Sequence, residues 1–385
     1  MKIAEKYRKA EPSKIQKIFQ VAAANPDIVS LGIGEPDFDT EHDIIDEAAR
    51  AAKAGYTHYP PIQGYEDVRK AVCDYWDRRY GLKSTPEEVL VMAGGVQSLH
   101  LALQALLEPG DEVITPEPCF PPYFDQIAQH DGVAVHLPTT EEDGFIPTPE
   151  AIERAVTPKS RALLLCSPSN PTGRVMTRAQ MEGIAAVAEK HDLVVLSDEI
   201  YDALVFRGKH VPFASLPGMK ARTLTMSGLS KSHCMTGWRL GYAIGPAELI
   251  RTMCLIAANQ TYGVCAPSQR AMLYALGAHD GKIEERLAAF RERLTYVAGR
   301  LNAMPGVSCA EPEGAFYLFP NIRGTGMTSD AFAWGLLEKG RVATLPGSAF
   351  GACGEGYLRL ACTCAMPKLV TAMDRMAAYA ASIRA

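Results

Sequence analysis

Lys231 and Arg239 are the residues in this chain whose types and spacing most invite chemistry. They lie in the run SGLSKSHCMTGWRLG, residues 227–241, with small residues between them. A lysine amine attacks carbonyls once it is deprotonated, and a guanidinium is well shaped to hold a phosphate. An aldehyde that also carries a phosphate suits both groups, and pyridoxal 5'-phosphate is the common protein-bound example. Taken alone, the pair reads equally well as a solvated lysine on a polar loop. The choice falls to the elements that would position the two side chains.

Short runs rich in Val, Ile and Leu recur at 88–92, 112–115, 133–137, 162–166, 193–197, 223–226 and 241–244. Several are apolar on both faces, as strands covered on both sides are. Helical patterns alternate with them. Residues 66–80 place Val68, Ala71, Val72, Tyr75 and Trp76 on one stripe, and 97–107 is apolar nearly all round. Residues 177–191 open at a Thr cap with Glu182 following. This alternation predicts an α/β fold, an open and mostly parallel sheet with helices on both faces.

Past residue 275 the texture changes. A long charged helix at 280–301, strand-like pieces at 315–319, 341–344 and 357–362, and helices at 329–340 and 367–383 read as a smaller α/β domain. The expected division is an N-terminal segment, 1–45, joining the small domain; a large domain, 46–275; and a small domain, 276–385.

Ligands of open α/β sheets sit outside the carboxyl ends of the strands. Three polar segments fall at such ends. SPSNPTG, residues 167–173, follows one strand; Asp198-Glu199-Ile200-Tyr201 follows the next; the Lys231 loop follows the third. Asn170, Asp198, Tyr201 and Lys231 are therefore expected on one rim. An aspartate there can keep a pyridine nitrogen protonated, while Asn and Tyr can hydrogen-bond a phenolic oxygen. Singly, these residues also read as a turn, a helix cap and a core tyrosine. Their coincidence at strand ends favours the site. AGGVQ, residues 93–97, lies between a strand and a buried helix, where Gly95 and Val96 would offer backbone N–H groups to a phosphate. Ser230 and Arg239 complete that cradle.

With these residues in view, the chain resembles the class I/II aminotransferases of pyridoxal-phosphate fold type I. The matching motifs run in order along nearly the whole length: SLGIGEPDFD (30–39), residues 59–64, 167–173, 198–201 and 230–241, PGSAFG (346–351) and YLRL (357–360). The resemblance implies that Lys231 holds the cofactor as a Schiff base and Asp198 pairs with its ring nitrogen. Asn170 and Tyr201 would bind its phenolic oxygen, and Phe120 would lie over the ring. Arg359 would grip the substrate α-carboxylate, with Gly34 beside the substrate. Tyr59 would reach the phosphate of a neighbouring subunit, which implies a homodimer with shared active sites. Two positions depart from the pattern. Cys234 stands where a different small residue is usual, and Gly228 stands where some members have a phosphate-binding Ser, which moves that role to Ser227.

The implied reaction is a ping-pong transamination between an L-amino acid (aspartate, aromatic or alanine-type) and a 2-oxo acid, with the Lys231 amine moving the Cα proton. A C–S β-lyase would use the same residues. A non-catalytic cofactor-binding regulator would need an added DNA-binding segment, for which the chain has no spare length. Phe316, Tyr317 and residues 13–15 could line the side-chain pocket or simply pack between domains.

Bulk numbers agree with an enzyme of this kind. Apolar residues make up 47% and charged residues 22%, and the net charge is −5. Such a balance gives no reason to expect nucleic acid or an anionic membrane as partner. No apolar run approaches a membrane span and no signal peptide is evident, so the expected location is cytoplasmic. The 10 cysteines are scattered and read as free thiols, with no metal site expected.

Overall fold

The structure, a computed structural model, describes residues 13–278 and 280–383. Residues 1–12 of the expected N-terminal segment lie outside them. The chain enters through helix α1 (Lys14–Ala24) and strand β1 (Val29–Ser30), then α2 (His42–Lys53) and α3 (Glu66–Tyr80). Alternation follows: β2 (Val89–Met92), α4 (Gly95–Leu106), β3 (Glu112–Glu117), α5 (Pro122–Gln129), β4 (Val133–Pro138) and α6 (Pro149–Ala155). Next come β5 (Ser160–Cys166), α7 (Arg178–Lys190), β6 (Val194–Asp198), β7 (Thr223–Gly228), β8 (Gly241–Ile244), α8 (Ala247–Ala258) and α9 (Ala266–Ala278). The last stretch holds α10 (Asp280–Asn302), β9 (Tyr317–Leu318) and α11 (Ser329–Gly335). It continues with β10 (Val342–Ala343), β11 (Leu345–Pro346), β12 (Leu358–Ala361) and α12 (Met366–Ile383).

Strands β2 to β8 form one sheet in the order β2-β8-β7-β6-β5-β3-β4. Only β8 runs against its neighbours, so β2, β7, β6 and β5 end on the same rim. The strands are apolar on both faces because both faces are covered. In β2, Val89 and Val91 pack with Val72, Trp76 and Met272, while Leu90 and Met92 pack with Leu99, Leu103 and Met253 on the other side. In β5, Leu163 and Leu165 meet Met181 and Ile184. The apolar stripe of α3 is buried as expected at Val68, Val72, Tyr75 and Trp76.

The remaining strands form smaller sheets. β11, β12 and β9 are antiparallel neighbours, and the cluster around them draws in Phe290 and Leu294 from α10 and Met373 and Met376 from α12. β1 pairs in parallel with β10, Val29 opposite Val342, tying residue 29 to a partner more than 300 positions away. Three local expectations need adjustment. The strand near 315–319 is confined to Tyr317–Leu318 because Ala315 sits at φ 55°, outside the extended region. The piece at 341–344 is strand only at β10, and β11, which follows it after Thr344, belongs to a different sheet. Helix α7 is capped by Thr177, but its capping partner is Gln180, three residues on, where the geometry requires it. Glu182 instead pairs with Arg178 across one turn.

Gly241 opens β8 directly beneath the Gly94–Gly95 turn. A Cβ there would lie 2.6 Å from the Gly94 carbonyl carbon and 2.8 Å from the Gly95 nitrogen. Backbone cannot yield as a flexible side chain can. Gly241→Ala should therefore destabilise the fold by about 1–3 kcal/mol, read as a lower thermal midpoint. It should also weaken anion binding at Gly95, and an unchanged midpoint would contradict this packing.

Candidate active site

The strand-end residues converge. Cys166 of β5 is in register with Asp198 of β6, and Asp198 with Met226 of β7, so the segments after these strands leave the sheet side by side. Asn170, Asp198, Tyr201, Ser230, Lys231 and Arg239 all line one cleft of about 870 Å³, together with Gly34, Gly95, Val96, Phe120 and Arg359. That volume is ample for a cofactor and a small substrate together.

Lys231 Nζ donates to the carbonyl of Gly34 at 2.7 Å. Burial pushes its amine down to about 8; Arg359 and Arg239 add to the effect and Glu35 opposes it. Arg359 donates through Nη2 to the carbonyl of Gly32 and through Nη1 to Asn170 Oδ1 at 3.4 Å. Its guanidinium lies over the rings of Tyr317 and Phe350, 4.6 and 5.2 Å from their centroids. Its Nε is buried and has no hydrogen-bond partner, and among the described residues no carboxylate pairs with it. An unpaired donor of this kind costs roughly 1–3 kcal/mol, more when charged, so the site favours an anion that supplies the acceptor.

Asp198 Oδ1 accepts from the Ile200 N–H at 3.1 Å, and Oδ2 accepts from the Tyr123 hydroxyl at 2.5 Å. Desolvation raises its carboxyl above the usual range despite those two hydrogen bonds. A cation placed against it would favour the carboxylate, which suits a protonated ring nitrogen. The Tyr201 hydroxyl is 2.7 Å from that of Tyr317, and a Cβ on Gly34 would overlap the Tyr317 hydroxyl. At the other end, Gly94 holds φ 84° and leaves room for Arg239, whose Nη2 would lie 2.6 Å from a Cβ there. The start of α4 at Gly95 is thus open toward a guanidinium, as a phosphate cradle requires. The residues present fit pyridoxal phosphate at each of its polar groups.

Several expectations separate here. The expected phosphate role of Ser227 is not met: its hydroxyl lies 3.2 Å from Asp202 Oδ1 and 3.3 Å from the Glu199 carbonyl and does not line the cleft. Phe316 is fully buried under the cleft, packed on Tyr201 and Phe290, whereas Tyr317 lines it. Of residues 13–15, Ser13 and Ile15 line the cleft, while Lys14 turns away to Asp330. Tyr59 is 83% exposed against Tyr262 and lies outside this chain's cleft. The sequence gives Tyr123 no role of its own, yet its hydroxyl reaches Asp198. It follows Phe120 by one tight turn, its N–H bonded to the Phe120 carbonyl. The sequence likewise gives Phe350 none. A buried set supports the loop from behind: Glu199 binds His210 at 2.6 Å and Ser197 at 2.8 Å, and Asp202 binds Tyr80 at 2.7 Å.

An open sheet with an amine and an acid at its carboxyl rim, and a buried guanidinium from β12 lining the same cleft, is the arrangement of a pyridoxal-phosphate enzyme of fold type I. Residues 26–375 match the family model for aminotransferase class I and II. The chain is 38% identical to the aspartate aminotransferase of Pyrococcus horikoshii over 377 residues, covering 97% of this chain and 96% of that one. It is 39% identical to the aromatic-amino-acid aminotransferase 2 of Thermococcus litoralis over 383 residues, 98% and 97%. The crystal structure of the aspartate aminotransferase from Rhizobium meliloti superposes with a TM-score of 0.95 at 36% identity, covering 99% of each chain. The chain belongs to the class I and II aminotransferases, whose cofactor is pyridoxal 5'-phosphate.

Two outcomes follow from the geometry. Tyr123→Phe removes a hydrogen bond to a charged acceptor, worth about 1.5–3 kcal/mol, and should weaken cofactor retention roughly tenfold or more, measured by absorbance titration of the apoprotein. With its amine lowered to about 8, Lys231 is neutral above that pH and protonated below it. Capture of added pyridoxal phosphate by the apoprotein, followed by absorbance, should therefore accelerate as the pH rises through about 8, and an inflection near the ordinary lysine value would contradict this.

Proposed function

We propose that this aminotransferase runs a ping-pong transamination in which Lys231 Nζ takes the Cα proton of the donor and later returns it. The Arg359 guanidinium binds the substrate α-carboxylate, assisted by Asn170, and Gly34 leaves space beside the substrate. Asp198, steadied by Tyr123, holds the ring nitrogen protonated. Asn170 and Tyr201 hydrogen-bond the phenolic oxygen, and Phe120 covers the ring. Ser230, Arg239 and the N–H groups of Gly95 and Val96 hold the phosphate. When bound, the cofactor supplies an aldehyde that carries the amino group and a protonated ring that accepts an electron pair.

The observation that carries this reading is the segment Gly32-Ile33-Gly34. Its first carbonyl accepts from Arg359 and its third from Lys231, so an α-carboxylate on one cation sets Cα beside the other. Exposed Tyr59, next to Tyr262, is consistent with a homodimer in which each subunit completes the other's phosphate site. A cytoplasmic location is part of the same proposal.

Lys231→Ala tests the assignment. The variant should keep its circular dichroism and lose at least about a thousandfold in kcat, the scale expected when a nucleophile and proton carrier are lost together. Turnover near the unsubstituted level would sink it. Conversion of the enzyme to its pyridoxamine form by an amino acid alone would separate transamination from β-elimination.

A further inference from the structure

Glu117, the last residue of β3, is 4% exposed and does not line the cleft. Its carboxylate nevertheless touches the segments that lead to both ends of the site. On one side Oε1 meets Nδ1 of His136, which lies on the adjacent strand β4. The His136 ring is stacked on Phe124, with the centroids 4.5 Å apart, and Phe124 follows Tyr123 in α5. Tyr123 in turn donates to Asp198. On the other side Oε2 accepts from the Ala352 N–H at 3.1 Å, in the loop between β11 and β12. Two residues before Ala352 stands Phe350, whose ring faces the Arg359 guanidinium.

The backbone of Glu117 is held independently of these contacts. It is in register with Pro138 of β4, and its carbonyl accepts from the Thr139 N–H at 3.0 Å. The carboxylate therefore reaches from a fixed strand end to a loop of the smaller sheet. Gly351 admits it: the residue sits at φ 129°, and a Cβ there would lie 2.6 Å from Glu117 Cδ and Oε2. An apolar side chain could fill the space but could not accept from Ala352. Other contacts join the same two parts of the chain, since Glu141 accepts from Tyr357 at 3.0 Å and from Asn321 at 2.7 Å. Loss of the Glu117 carboxylate would thus leave the sheets attached and release only the local register.

We infer that Glu117 is a positioning residue for the transamination: it sets the Arg359 guanidinium at a fixed distance from the Tyr123–Asp198 pair. This rests on the roles given above to Arg359 and Asp198. The α-carboxylate is held by one and the cofactor ring by the other, so a shift between them misaligns Cα with the ring. His136, braced by Phe124, keeps the carboxylate turned toward Ala352.

The test compares Glu117→Ala, Glu117→Gln and Gly351→Ala with the unsubstituted protein, at a temperature where circular dichroism shows each one folded. Two dissociation constants are read by absorbance: that of pyridoxal phosphate from the apoprotein, and that of 2-methylalanine, a donor without a Cα proton, from the holoenzyme. Glu117→Ala and Gly351→Ala should raise both about tenfold, the scale of one hydrogen bond to a charged acceptor. Glutamine keeps an oxygen for Ala352 and an N–H for the His136 ring, so Glu117→Gln should stay within about threefold on both. A lowered thermal midpoint with both constants unchanged would make Glu117 a purely structural peg and overturn the inference. A glutamine variant as weak as the alanine one would overturn it too. Failure of the unsubstituted protein to bind either probe would instead sink the roles of Arg359 and Asp198, and the inference with them.

Discussion

Three positive side chains, Lys231, Arg239 and Arg359, converge on one cleft, and the burial of Lys231 and Arg359 there is the constraint on which the site depends. Burial is the largest influence on Lys231, and the two arginines push in the same direction. The result is an amine pushed down to about 8, well below the ordinary lysine value. Among the described residues no carboxylate forms an ion pair with Lys231 or Arg359, although Glu35 acts on Lys231 from farther off. The chain gives Lys231 and Arg359 one backbone carbonyl each, from Gly34 and Gly32. A carbonyl satisfies donors without removing charge, so the arginines remain available to anions. Arg359, with one buried nitrogen left unbonded, carries the clearest signature of a missing partner.

Holding this arrangement requires elements that are remote in sequence to meet closely. Lys231 follows β7 of the large sheet, and Arg359 sits within β12, opposite Leu345 of β11. Tyr317 of β9 joins them, since its hydroxyl bonds Tyr201 and its ring underlies Arg359. The Phe120–Tyr123 segment is fastened to the other side of the cleft by two hydrogen bonds. The Cys119 N–H meets the Phe350 carbonyl at 2.9 Å, and the Ala352 N–H meets Glu117 Oε2 at 3.1 Å. The tyrosine that steadies Asp198 and the phenylalanine beneath Arg359 are thus positioned by a common seam. Displacing that seam would disturb both ends of the substrate at once.

The parts legible in the sequence were those with a local cause. The β strands announced themselves because helices cover both faces, as the split of Val89 and Val91 from Leu90 and Met92 makes plain. Asn170, Asp198 and Lys231 could be placed because parallel strands deliver their carboxyl ends to one rim. Ser227 misled for an equally physical reason. Strand residues alternate in direction, and one position decides whether a hydroxyl meets the cradle or Asp202. Tyr123 was hidden because nothing local distinguishes it from a core tyrosine. Only the approach of Asp198, 75 positions away, gives its hydroxyl a purpose.

The apolar lining of the cleft was illegible for a stronger version of the same reason. Ile33 looks like any isoleucine in a strand-like motif until its flanking carbonyls are seen to receive Lys231 and Arg359. Ile15 and Phe19 acquire meaning only when α1 docks near Leu345 and Phe350.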